Sequence, residues 1–132
     1  MIDPRRQRRW RDLVIDCQQP APLARFWASV LRWDPPGWDE EDLRDLAEAG
    51  ITDPEEDPSV FIVEADPTRP RICFQLVPEP TTAKNRLHLD VNVDDRSEVD
   101  GFVRLGATVI AEHEGWIVLA DPEGNEFCAV LH

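Results

Sequence analysis

No run of apolar residues in this chain approaches the ~18 that a membrane-spanning helix needs, so no membrane partner is expected. Positive charge is also scarce: 14 Lys and Arg stand against 27 Asp and Glu, a net charge of −13. That balance argues against nucleic acid or an anionic membrane as the main partner. Cysteines are few. Cys17, Cys73 and Cys128 form no CxxC pair, and an odd, widely spaced set points to reduced thiols and a cytoplasmic location. The N-terminus has a basic run without the apolar stretch of a secretory signal. In residues 1–11 five Arg face a single Asp. This tip reads either as a terminal arm lying on the acidic body or as a contact for nucleic acid or lipid.

What the chain does have is enough apolar material for one domain: 132 residues, 42% hydrophobic. Leu13–Cys17 is a β-branched run ended by Gln18-Gln19-Pro20. Leu23, Phe26, Trp27, Val30 and Leu31 then recur at helical spacing, with Pro22 in the first turn. Residues 34–58 break the pattern, with ten acids against one Arg between Asp39 and Asp57. A modest stripe of Leu43, Leu46, Ala47 and Ile51 predicts a solvated helical excursion, stopped near Gly50. Strands are predicted over Ser59–Glu64, Arg71–Val77 and Leu87–Val93. A helix capped by Asp94-Asp95-Arg96-Ser97 follows, carrying Val99, Phe102, Val103 and Leu105 and ending at Gly106. Three further strands complete the chain: Ala107–Ala111, Gly115–Ala120 and Glu126–Leu131.

The order is βα, an insertion, ββ, and then βαβββ. A shift of 76 residues places Phe26 on Phe102, Leu13 on Leu89 and Asp12 on His88, and Ala65-Asp66-Pro67 recurs as Ala120-Asp121-Pro122. These matches predict a duplicated βαβββ unit whose first copy has exchanged its second strand for the acidic helix. In the strand at 87–93, Leu87, Leu89, Val91 and Val93 share one side, and His88, Asp90 and Asn92 the other. A polar face of this kind turns to solvent or lines a cavity.

The segments KNRLHLDVNVDD, FVRLGA and GWIVLADPEGNEFCAV resemble the second module of the vicinal oxygen chelate superfamily, which includes glyoxalase I, bleomycin-resistance proteins and extradiol dioxygenases. LVIDCQQPAPLARFWASVLRW resembles the start of a first module, in particular that of short bacterial glyoxalase-like domains. The resemblance covers roughly residues 11–33 and 59–132. It implies an α+β fold: two βαβββ modules forming a cupped mixed sheet with helices outside, and an acidic helical insertion in the first. Module one would span about 11–80 with the insertion at 34–58, and module two about 84–132. A small-molecule cleft between the modules, usually within a homodimer, is implied too.

Carried over position by position, the superfamily's metal ligands fall on Asp12, His88, Cys128 and either Gln75 or Cys73. The usual glutamate position on the last strand is thus a cysteine. One imidazole, one carboxylate, one amide and one thiol suit the superfamily's octahedral-leaning ions poorly, although zinc accepts His, Cys and Asp. The expectation is a protein without the usual metal site that binds a small organic molecule. Gln75, His88, Asp90 and Cys128 would line the cleft, with Trp116 and Trp33 as aromatic walls and Trp27 in the core. His88 is the candidate general base, with Asp90 on the same face. A metal-dependent lyase, isomerase or dioxygenase using a divalent ion is the enzymatic alternative. A regulatory or interaction module docking through the acidic insertion is the third reading.

Overall fold

The computed structural model describes residues 3–131. The chain divides into two compact units, one ending at Glu79 and one beginning at Pro80. Each carries one mixed sheet, so the chain is α+β with a three-stranded and a four-stranded sheet.

In the first unit, β1 (Asp12–Cys17) leads into α1 (Pro20–Leu31), and β2 (Ser59–Ile62) and β3 (Arg71–Leu76) follow the acidic segment. The sheet order is β1-β3-β2, with β1 parallel and β2 antiparallel to β3. Prolines at the start of α1 preset its first turn without losing a needed N–H donor. Its end is closed by Arg32 in the left-handed conformation (φ 59°), with Trp33 N–H donating back to the Ala28 carbonyl. The predicted stripe packs inward: Leu23, Phe26, Trp27 and Val30 are buried with Val60, Ile62, Ile72 and Phe74. Trp27 meets Phe26 edge to face and belongs to the core, as its spacing predicts.

The acidic segment forms α2 (Glu40–Glu48), capped by a reciprocal Asp39–Asp42 box and burying no residue. Leu43 is exposed, in keeping with a solvated excursion. Arg25 of α1 grips Glu55 through two bonds of 2.5 and 2.7 Å, and Trp38 Nε1–H donates to Asp57, tying the segment down at its far end. Among the described residues the first unit therefore has three strands, one fewer than its counterpart, with the helix standing where the fourth would be in the chain.

The second unit runs β4 (Leu89–Val93), α3 (Arg96–Arg104), β5 (Thr108–Glu112), β6 (Trp116–Ala120) and β7 (Glu126–Leu131). Its order, β4-β7-β6-β5, repeats β1-β3-β2 and adds β5 at the edge. Asp95 caps α3 by accepting from Ser97 N–H, and Gly106 (φ 121°) ends the turn. The positive φ favours glycine there, and a side chain at Gly106 would also crowd Pro122 at 3.1 Å. Val99 and Phe102 of α3 are buried with Val93, Ile117, Leu119, Phe127 and Ala129, and Phe102 lies 6.1 Å from the Phe127 ring.

Several strand boundaries differ from the sequence expectation by one residue and two of them by two residues. The strand predicted over 59–64 ends at Ile62, and the one predicted from Leu87 begins at Leu89. Leu87 is 80% exposed, because the chain there has not yet entered the β7 ladder that would turn it inward.

Phe127 is fully buried against Phe102. Phe127→Ala is expected to cost about 3–5 kcal/mol, read as a lowered urea midpoint with an unchanged m-value. A loss below about 1 kcal/mol would mean that the β7 core face is not packed as described.

Candidate functional site on the second sheet

Alternation along β4, β7 and β6 divides the second sheet into an apolar face under α3 and an opposite, more polar one. Asp90 stands opposite Cys128, which stands opposite Val118. The neighbouring row is Asn92, Val130 and Trp116. Glu126, on the other side of Cys128, shares this face by the same alternation.

His88 lies one residue before β4, and its Nδ1 is 3.1 Å from Asp90 Oδ1. His88, Asp90 and Cys128 bring their ligand atoms within 4.8 Å of one another. His88 and Asp90 are exposed and Cys128 is half-buried. With Nδ1 directed at the carboxylate, Nε2 is the ring nitrogen presented outward. Burial pushes the Cys128 thiol above its ordinary pKa, the Asp90 charge adds to the rise, and Lys84 opposes it. Cys128 is therefore a protonated thiol at neutral pH, a weak donor beside a carboxylate rather than an activated nucleophile.

Trp116, one row along the same face, is 44% exposed. His113 stacks on it at 4.4 Å with the rings 22° apart, and His113 N–H donates to the Trp116 carbonyl. The tight β5–β6 connection thereby presents a flat aromatic surface roughly 7 Å along the strand from the Cys128 row.

The turn before β7 sets the position of Cys128. Asp121 is 3% exposed, and its Oδ1 accepts from the backbone N–H groups of Glu123 and Asn125. Asn125 Nδ2 donates to both Asp121 oxygens, at 3.2 and 2.9 Å. Asn85 in turn donates to Asn125 Oδ1 at 2.7 Å, and Lys84 pairs with Glu126. One network thus fixes both the start of β7 and the segment leading to His88. Sequence reasoning singles out neither Asn85 nor Lys84; only the KN that precedes the His88 strand hints at them.

In the first unit the candidates are arranged differently. Asp12 is held by Arg71, with Nε and Nη2 donating to its two oxygens at 2.9 and 3.0 Å, and Arg11 lies 3.7 Å away. Arg71 also covers the Phe61 ring at 4.2 Å. Gln75 is exposed opposite Asp16, four residues along β3 from Arg71, or roughly 13 Å at the usual strand rise. Asp12 and Gln75 therefore do not converge. Val14 pairs with Cys73 as Asp90 pairs with Cys128, so the 76-residue shift makes Cys73, rather than Gln75, the positional equivalent of Cys128. Cys73 is buried with its sulfur 3.4 Å from Ser59 Oγ, and Trp33 is half-buried.

The second unit's triad offers a metal one nitrogen, one carboxylate and one thiol. Such a set suits zinc better than an octahedral, oxygen-preferring ion, and only after the thiol gives up a proton that its surroundings hold.

A family model described as a glyoxalase-like domain matches residues 12–130. No curated protein matches the chain. A glyoxalase/bleomycin resistance/dioxygenase family enzyme from Burkholderia phytofirmans has a similar structure at 18% identity and TM-score 0.58, covering 90% of this chain and 94% of that one. A glyoxalase/bleomycin resistance protein from Albidiferax ferrireducens is similar at 15% identity and TM-score 0.57, with 93% and 98% covered. The fosfomycin resistance protein FosX from Mesorhizobium loti is similar at 13% identity and TM-score 0.57, with 90% and 87% covered. At these identities the likeness is one of fold.

The raised thiol gives a direct check. Cys128 should alkylate slowly with iodoacetamide at neutral pH. Asp90→Asn, which removes the nearby charge, should lower its pKa and speed labelling by about three- to tenfold at pH 8, followed by peptide mass mapping. Unchanged labelling would show that Asp90 does not act on the thiol.

Proposed function

Since the chain belongs to the glyoxalase-like domain family, we propose that it binds a small organic molecule on the polar face of the second sheet. The observation that carries this reading is the convergence of His88, Asp90 and Cys128 within 4.8 Å, one row from the exposed Trp116 ring. A few directed polar groups beside an aromatic surface are the usual makings of a small-molecule site. The names of two of the similar structures, which refer to fosfomycin and bleomycin resistance, support a small organic ligand. His88 Nε2 would accept from or donate to the ligand, the Cys128 thiol would contribute a weak polar contact, and Trp116 would cover a flat part of it. The residues named for this site all lie in the second unit. Asp12 is held in its ion pair with Arg71, and Gln75 and Trp33 belong to the first unit.

A second reading is favoured by the 3.1 Å His88–Asp90 contact. A carboxylate 3.1 Å from Nδ1 orients the ring, which suits His88 to act as a general base through Nε2. Zinc on the triad would supply an electrophile for such chemistry. Assembly as a homodimer and residence in the cytoplasm accompany the family reading. The three free cysteines support a reducing compartment, and no helix among the described residues is long and apolar enough to cross a membrane. Sedimentation of the purified protein at the mass of two chains is the expected result for the dimer, and a single-chain mass would contradict it.

Binding to the folded form must raise stability, by about 2.7 kcal/mol at a hundredfold excess over Kd. Screening by thermal shift against small organic acids and antibiotics should give hits that His88→Ala and Trp116→Ala each abolish. A screen in which no hit depends on either His88 or Trp116 would overturn the proposal. Elemental analysis after chelator-free purification decides the metal question: stoichiometric zinc lost in His88→Ala would replace the metal-free reading with the zinc one.

A further inference from the structure

The arginine-rich tip is not a loose arm. Asp3 accepts from Arg5 N–H to start a short 3-10 turn over Pro4–Gln7, and Arg71 N–H donates to the Arg11 carbonyl, continuing the β1–β3 ladder backwards. Between these anchors, Arg8, Arg9 and Trp10 run past the loop that follows β2. The two segments enclose an open pocket of about 430 Å³ lined by Arg8, Arg9, Trp10, Asp66, Thr68, Arg69 and Pro70. That volume lies within the range of ~300–1,000 Å³ typical of small-molecule sites.

The lining has a definite chemistry. Three guanidinium groups stand against one carboxylate in a chain whose net charge is −13. Arg8 and Arg9 are exposed, and neither enters an ion pair among the described residues. Glu64 and Asp66 orient Arg69 at 3.3 and 3.6 Å, and Thr68 in turn donates to Asp66 from both its N–H and its hydroxyl, which fixes the loop. Trp10 is 63% exposed, yet its Nε1–H donates to the Asp12 carbonyl, so the indole is held in place rather than trailing in solvent. A fixed indole beside guanidinium forks matches a planar ring that carries an anionic group.

We infer that this pocket is a second binding site, taking a small aromatic carboxylate or aryl phosphate: the ring lies against Trp10 and the anionic group is gripped by Arg8, Arg9 and Arg69. Net charge selects size. A polyanion that extends beyond the pocket meets the acidic remainder of the chain within a Debye length of about 8–10 Å, whereas a single anionic group held inside the pocket meets mainly its arginines. A small ligand is therefore favoured over an RNA or a lipid surface.

The test uses the intact chain and 2-naphthoate as probe, with neutral 2-naphthamide as its isosteric control, followed by ligand-observed NMR and titration calorimetry. An affinity on the order of 0.1–1 mM is expected for a probe of this size. Naphthamide should bind at least about tenfold more weakly, and Arg8→Ser with Arg9→Ser, or Trp10→Leu, should each weaken naphthoate by a similar factor. These residues lie on the surface, and an unchanged thermal midpoint confirms that each variant is folded. His88→Ala should leave naphthoate binding intact. The proposal is overturned by equal binding of naphthamide, by indifference to the Arg and Trp10 substitutions, by loss of binding in His88→Ala, or by a preference for single-stranded oligonucleotide or anionic vesicles over naphthoate.

Discussion

The buried carboxylate of Asp121 is the interaction on which the second unit's site depends. A carboxylate that is 3% exposed must have its lone pairs satisfied, and here two backbone N–H groups and the Asn125 amide do so. The turn they close determines where β7 begins, and so which β7 side chains share the polar face. Because Asn85 completes the same network, the segment carrying His88 is fixed by the same atoms that place Cys128. The DPEGN motif is therefore a structural device with a functional consequence: it aligns two strands that are parallel neighbours but distant in sequence.

Much of this arrangement is legible in the order of the residues. Strict alternation in Leu89–Val93 separates Asp90 and Asn92 from Val91 and Val93, and a strand turns two such sets to opposite faces. The family resemblance points to Cys128, which the β4–β7 register places opposite Asp90. Phe26 and Trp27 read as core from helical spacing, and they are core. The exchange of a strand for the acidic helix is likewise visible as a break in composition.

What the residue order leaves hidden is decided by nonlocal pairing. Asp12 lies 59 positions from Arg71, and only the parallel ladder between β1 and β3 brings them together as an ion pair. The resemblance leaves Gln75 and Cys73 both open, and the register makes Cys73 the counterpart of Cys128. Leu87 continues an alternating pattern, but a pattern is not a ladder, and the residue lies outside β4. The N-terminal tip offers only five arginines; its anchoring by Arg11 and Arg71 is a property of the folded chain.

Where the family resemblance implies a metal-ligating glutamate the chain carries Cys128, a thiol that burial and the Asp90 charge push above its ordinary pKa. That single exchange turns attention from metal chemistry to recognition by shape and a few polar contacts. The most direct measurement is a crystallographic soak of the intact protein with a stabilising ligand whose thermal shift is lost in His88→Ala. The account predicts ligand density within hydrogen-bonding distance of His88 Nε2 and against the open side of Trp116. Ligand density found only away from the His88, Asp90 and Cys128 face would contradict it.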